Sequence, residues 1–212
     1  MLKMLNISKA AQFFITIALA VIAGSAHAVG PAVSALNAKI SAEGGVASGE
    51  GAGLVSGSVT APIGKRFGIQ GDATVGTLLD DFASAFGGHV FTRDPEHYLV
   101  GIEGGYTRAA GADVARAGGE VELYVNRFTF SGKAGYQLGD TSQKVKFKDG
   151  FVGGLGATFY PIDNLSIGGG ASLNTGNLSG FGQLEYQPSF TGLNNLSVFA
   201  HGNSDGENKA TI

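Results

Sequence analysis

Apolar and polar residues alternate with a period of two along most of the chain. From Leu36 to Glu43 every even position is apolar and every odd one polar or charged, the mark of a strand with one oily and one wet face. The same pattern sets Val55, Val59 and Ala61 against Ser56, Ser58 and Thr60, and Phe67, Ile69, Ala73 and Val75 against Gln70, Asp72 and Thr74. Tyr98, Val100, Ile102 and Tyr106 oppose Glu103 and Thr107; Val121, Leu123 and Val125 oppose Glu120, Glu122 and Tyr124; Phe128, Phe130, Ala134 and Tyr136 oppose Thr129, Ser131, Lys133 and Gln137. Less regular strands are expected near 85–92, 151–160, 165–173, 180–186 and 196–202, which makes eleven. No helical apolar period lasts beyond a turn or two.

The connections divide into two sets. Gly64–Arg66, Arg93–His97, Asn126–Arg127 and Pro161–Asn164 are tight links that demand antiparallel neighbours. Longer polar loops are expected at 44–52, 78–84, 108–116, 139–149, 174–179 and 203–209, with the link near 187–195 longer than its place among the tight turns suggests. The chain therefore reads as an up-and-down meander with a short-turn end and a longer-loop end.

Residues 1–28 stand apart. Lys3 and Lys9 open a basic start, Phe13–Ala23 is an apolar stretch, and Ala26-His27-Ala28 is a small-x-small cleavage site, the organisation of a secretory signal. The expected mature chain, residues 29–212, begins at Val29. Its formal charge falls from −3 to −5 once Lys3 and Lys9 are gone. The 212 residues include 36 Gly, no Cys and no Trp. Zinc–thiolate sites, Cys nucleophiles and Cys-bound clusters are excluded, and the charge balance gives no electrostatic case for nucleic acid.

Alternation alone does not say which face is buried, but residue size and charge do. The apolar face carries Gly57, Gly71, Ala73, Gly104, Gly132, Ala134, Gly169 and Ala171 in mid-strand. Such small residues would leave a water-soluble core underfilled, whereas lipid chains conform to any surface. Aromatics fall into two groups: Phe67, Phe91, Tyr98, Phe128, Phe159, Tyr160 and Tyr186 beside the tight turns, and Phe86, Tyr106, Tyr136 and Phe151 near the other end. Two aromatic girdles flanking an apolar band match the two interfaces of a bilayer. On these features the chain resembles the Gram-negative outer-membrane β-barrel superfamily, in particular its small porin-like members. The resemblance implies an all-β, up-and-down antiparallel transmembrane barrel with an even strand number, about 12, or 10 if a strand has been split. It also implies residence in the cell outer membrane among lipid and lipopolysaccharide, delivery by periplasmic chaperones and insertion by the barrel-assembly machinery. One departure stands out: no closing strand with a terminal aromatic follows 196–202, so Ala210–Ile212 is expected to begin a truncated last strand.

The wet face collects the candidate functional residues. Lys39, Glu43, Asp72, His89, Glu103, Glu120, Glu122, Lys133, Glu185 and His201 are expected to line a narrow lumen, where six acidic and two basic groups leave an excess of four negative charges. Carboxylates in a pore favour cations; pairing across the lumen would instead plug it. Lys144, Lys146 and Lys148 alternate in the longest loop, within reach of lipopolysaccharide phosphates. Gly202-Asn203-Ser204-Asp205-Gly206 matches a nucleophile elbow by letter, but no helix follows it. The scattered histidines give little support for a metal, and no cofactor is expected. The expectation is a non-enzymatic narrow, weakly cation-favouring pore or structural envelope component. Against it stand two alternatives: a lipid- or lipopolysaccharide-modifying barrel enzyme working through His89 or His201, and a secreted all-β binding module.

Overall fold

The computed structural model describes residues 12–22, 32–47, 50–140, 148–188 and 196–205. They form twelve antiparallel strands in chain order: β1 (Gln12–Ile22), β2 (Asn37–Ala47), β3 (Glu50–Ile63), β4 (Phe67–Leu78), β5 (Asp81–Asp94) and β6 (Tyr98–Ala109), then β7 (Ala112–Val125), β8 (Phe128–Gly139), β9 (Gly150–Ile162), β10 (Leu165–Asn174), β11 (Asn177–Tyr186) and β12 (Leu196–Asp205). From β2 to β12 every strand pairs with its sequence neighbours, which gives an eleven-strand up-and-down sheet, and β1 pairs with both β2 and β12 to close it into a barrel. The described residues contain no helix.

The closing strand is not where the sequence pattern put it. It is upstream, at Gln12–Ile22, whose backbone pairs with β2 from Phe13↔Val46 to Ile22↔Asn37 and with β12 from Gln12↔Asn203 to Leu19↔Leu196. Ala210–Ile212 lie outside the described residues. An uncharged run with no breaker can extend as readily as it can coil, so the apolar stretch that reads as a signal also satisfies the hydrogen-bonding needs of two open sheet edges.

Most of the expected longer loops are tight hairpins. Leu79-Asp80, Ala110-Gly111 and Thr175-Gly176 each join two strands through two residues with positive φ, the backbone twist that matches flanking strands. The polar flanks that looked like loop are paired strand: the Tyr106 hydroxyl donates to Asp113 Oδ1 at 2.7 Å, and Arg108 Nε lies 3.7 Å from the same oxygen. The links between β8 and β9 and between β11 and β12, the latter spanning 187–195, keep their expected length.

The apolar face points outward. Ile40, Val59, Ile69, Val100, Ile102, Leu123, Leu155 and Leu184 are all exposed, and no large apolar core stands behind them among the described residues. The interior is polar: among the described residues the largest fully buried side chain is Gln137, at 1% exposure. Phe67, Tyr98, Phe128, Phe159, Tyr160 and Tyr186 are exposed beside one set of turns, and Phe82, Phe86, Tyr106, Tyr136 and Phe151 toward the other. Phe128 stacks on Phe159 with ring centroids 4.8 Å apart, and Tyr136 meets Phe151 edge-on at 6.1 Å. Phe91 is the exception to the expected girdle. It is buried on the inner face, because β5 continues its alternation through His89, Phe91 and Arg93. Between Leu165 and Ile167 the β9–β10 register slips, and this bulge leaves both Phe159 and Tyr160 facing out.

Candidate functional site

Cross-strand register gathers the charged residues of the inner face into a diagonal belt. His89 on β5 is directly opposite Glu103 on β6, Lys133 on β8 is opposite Glu120 on β7, and Asp72 on β4 is opposite Gly87, two residues from His89. Residues two apart share a face, so these five side chains meet although they are drawn from five strands. His89 Nε2 lies 3.2 Å from Asp72 Oδ2, and His89 Nδ1 lies 2.9 Å from Glu120 Oε1 and 3.6 Å from Glu103 Oε2. On the far side of the two glutamates, Lys133 Nζ lies 2.5 Å from Glu103 Oε2 and 3.4 Å from Glu120 Oε2.

The belt has its own supports. Gln70 Nε2 donates to both oxygens of Asp72 at 2.9 and 3.2 Å, and Thr60 Oγ1 donates to Gln70 Oε1 at 3.0 Å. Both nitrogens of His89 therefore face carboxylates, and one of those carboxylates is itself held in place.

Three cavities lined by described residues run along the inner wall. One of about 640 Å³ is lined by Lys39, Glu43, Ser58 and Asp72. A second, of about 580 Å³, lies toward the Arg93 end of β5 and is lined by Val33, Phe91, Arg93, Glu120 and Glu122. The third, of about 480 Å³, holds Glu103, Arg116 and Phe181. His89 and Lys133 line both the second and the third, which puts the charged belt at the division between them.

Each end of the lumen is narrowed differently. At the Arg93 end, Ala32 and Val33 are 3% and 7% exposed, Ala32 N donates to Lys65 O at 3.1 Å, and Val33 and Phe91 crowd over Gly68, where a Cβ would come within 2.6 and 2.5 Å of them. Beside them Tyr124 donates to Glu122 Oε2 at 2.8 Å, with the Arg93 guanidinium 5.3 Å from the Tyr124 ring centre. At the other end, Gln137 accepts from Arg116 Nε at 3.0 Å and donates to Asn174 Oδ1 at 2.6 Å and Lys148 O at 3.3 Å.

Of the ten expected lumen residues, Lys39, Glu43, Asp72, His89, Glu103, Glu120, Glu122 and Lys133 line these cavities. Glu185 alternates with the outward Leu184 and Tyr186, and His201 is in register with Gln183 on the same inner side. Lys39 Nζ sits 5.4 Å from the Phe199 ring centre. Two further cations line the lumen: Arg93, which the sequence pattern puts in a turn, and Arg116, which it puts in a loop. Their inclusion halves the expected negative excess to two. Lys144 and Lys146 lie outside the described residues, while Lys148 is exposed beyond the end of β8. Asn203–Asp205 of the elbow-like motif extend β12, which is not the strand-to-helix turn a serine nucleophile requires.

No protein-family model matches the chain, and no curated protein matches it. It is similar in structure to a solved chain described as "Unveiling the Mechanism Behind the in-meso Crystallization of Membrane Proteins", with a TM-score of 0.50 and 8% identity over 92% of this chain and 84% of that one. At that identity the likeness concerns the fold alone.

Proposed function

We propose that the protein is an outer-membrane β-barrel that forms a narrow, weakly cation-favouring pore. The observation that carries this reading is the inside-out distribution: an exposed apolar wall between two aromatic belts surrounds a lumen lined with paired charges. A strand of 12 residues, such as β4, β6 or β8, rises about 30 Å along a barrel axis at the usual tilt, enough for the roughly 25 Å apolar band of such barrels. In this reading chaperones and the assembly machinery deliver the barrel, and Lys148 faces lipopolysaccharide. The acids exceed the bases by two along the lumen, so the preference for cations is slight, and the belt together with Val33 and Phe91 keeps the passage small.

Bilayer conductance tests it. Detergent-refolded protein is expected to insert and give small, uniform steps with a reversal potential shifted toward the cation in a KCl gradient. Lys133→Met removes a lumen cation and should increase that shift. Recovery of the chain as a soluble monomer without detergent would overturn the membrane reading. A barrel with heat-sensitive gel mobility but no conductance would overturn the pore and leave a structural envelope component.

The enzyme reading finds less support. Both nitrogens of His89 face carboxylates, and a general base needs an acceptor nitrogen turned toward a nucleophile or water.

A further inference from the structure

We infer that the belt at His89 is a binding site for a divalent first-row transition cation such as zinc. His89 Nε2 is taken up by Asp72, itself fixed by Gln70. That leaves the Nδ1 side of the ring turned toward two glutamate oxygens. A ring nitrogen facing two carboxylates calls for positive charge between them. A proton supplies one unit and a dication two.

The spacing suits the larger charge. The three residues offer ligand atoms that all lie within 4.8 Å of one another, and the two distances from Nδ1 to glutamate oxygens are 2.9 and 3.6 Å. A tetrahedral ion with bonds of about 2.1 Å needs ligands roughly 3.4 Å apart. Imidazole with carboxylates is a donor set that zinc accepts, and the Asp72 contact supplies the carboxylate–histidine support typical of such ligands. Two cavities open onto the site through His89, so an ion has a path to it.

Lys133 is the competitor built into the site. Its ammonium lies against Glu103 Oε2 and Glu120 Oε2, and a bound dication would push it toward the open lumen, where its side chain is already 52% exposed. The sign of its effect separates a cation site from an ordinary ion-pair cluster. Lysine in a cluster only adds to it, whereas lysine beside a metal opposes binding.

The experiment is calorimetric titration of the full-length, detergent-refolded protein with zinc chloride at physiological salt, each variant being checked for heat-sensitive gel mobility. One zinc per chain is expected. His89→Ala should weaken binding at least about tenfold, and Asp72→Asn by about tenfold. Lys133→Met should tighten it by about tenfold. A triple variant replacing His27, His97 and His201 with Ala should bind as the parent does. Absence of binding, equal binding by His89→Ala, or loss of binding in the triple variant would each overturn the site. Binding in detergent needs no conduction, so its failure is distinct from failure of the pore reading. In bilayers a filled site should reduce the conductance of the parent and leave His89→Ala unaffected.

Discussion

At the scale of single residues, period-two alternation predicts one shared face for Lys39, Asp72, Glu103 and Lys133, and all four line cavities of the inner wall. Which of them touch is set by strand register, and a sequence states register only through its turns. His89 and Glu120 are 31 positions apart yet 2.9 Å in space, because two hairpins between them each have a definite length. The sequence pattern leaves Arg93 and Arg116 out of the lumen because polar residues near strand ends look like loop. The turn residues carry a prediction of their own. Thr175 has φ 48° ahead of Gly176, a left-handed conformation that β-branched side chains resist and Asn tolerates. Thr175→Asn creates the Asn-Gly pair this hairpin favours. It should raise stability by about 0.5–1 kcal/mol, read as a later midpoint in urea unfolding of the refolded protein.

At the scale of elements, the sequence located eleven strands but underestimated their length. The expected strand at 85–92 is the 14-residue β5, and loops expected at 78–84 and 108–116 shrink to two residues. A charged residue ends an apolar pattern without ending a strand: Arg108 and Asp113 stay in the β6–β7 ladder. The glycines explain how adjacent strands sit. Gly118 and Gly135 are paired across β7 and β8, and a Cβ on Gly135 would lie 2.5 Å from Ala117 O and 2.9 Å from Gly118 Cα. Backbone fills that space, so rotamer changes cannot clear it. Gly135→Val should destabilise the barrel by about 1–3 kcal/mol, seen as heat-modified mobility at a lower temperature. Gly71→Ala, where a Cβ would meet nothing within 4 Å, should leave that temperature nearly unchanged.

At the scale of the whole molecule, the fate of Gln12–Ile22 decides whether the barrel closes. Eight backbone pairings join it to β12 and ten join it to β2, and the same residues are the apolar centre of the proposed export signal. One molecule cannot both lose this segment and be closed by it. Removing it exposes two strand edges, and unsatisfied backbone groups in lipid cost several kcal/mol each. β2 and β12 run in the same direction, since each pairs antiparallel with β1, so direct contact between them would have to be parallel, with bonding evenly spaced and somewhat weaker. The strand position between them therefore governs assembly. Refolding residues 1–212 and residues 29–212 side by side is expected to give a compact, heat-sensitive monomer only for the longer chain. The shorter chain should remain unfolded or pair its open edges with those of another copy, visible as a dimer by light scattering. A compact monomer from 29–212 alone would mean that β2 and β12 close on one another, and that the outward apolar wall is complete without Gln12–Ile22.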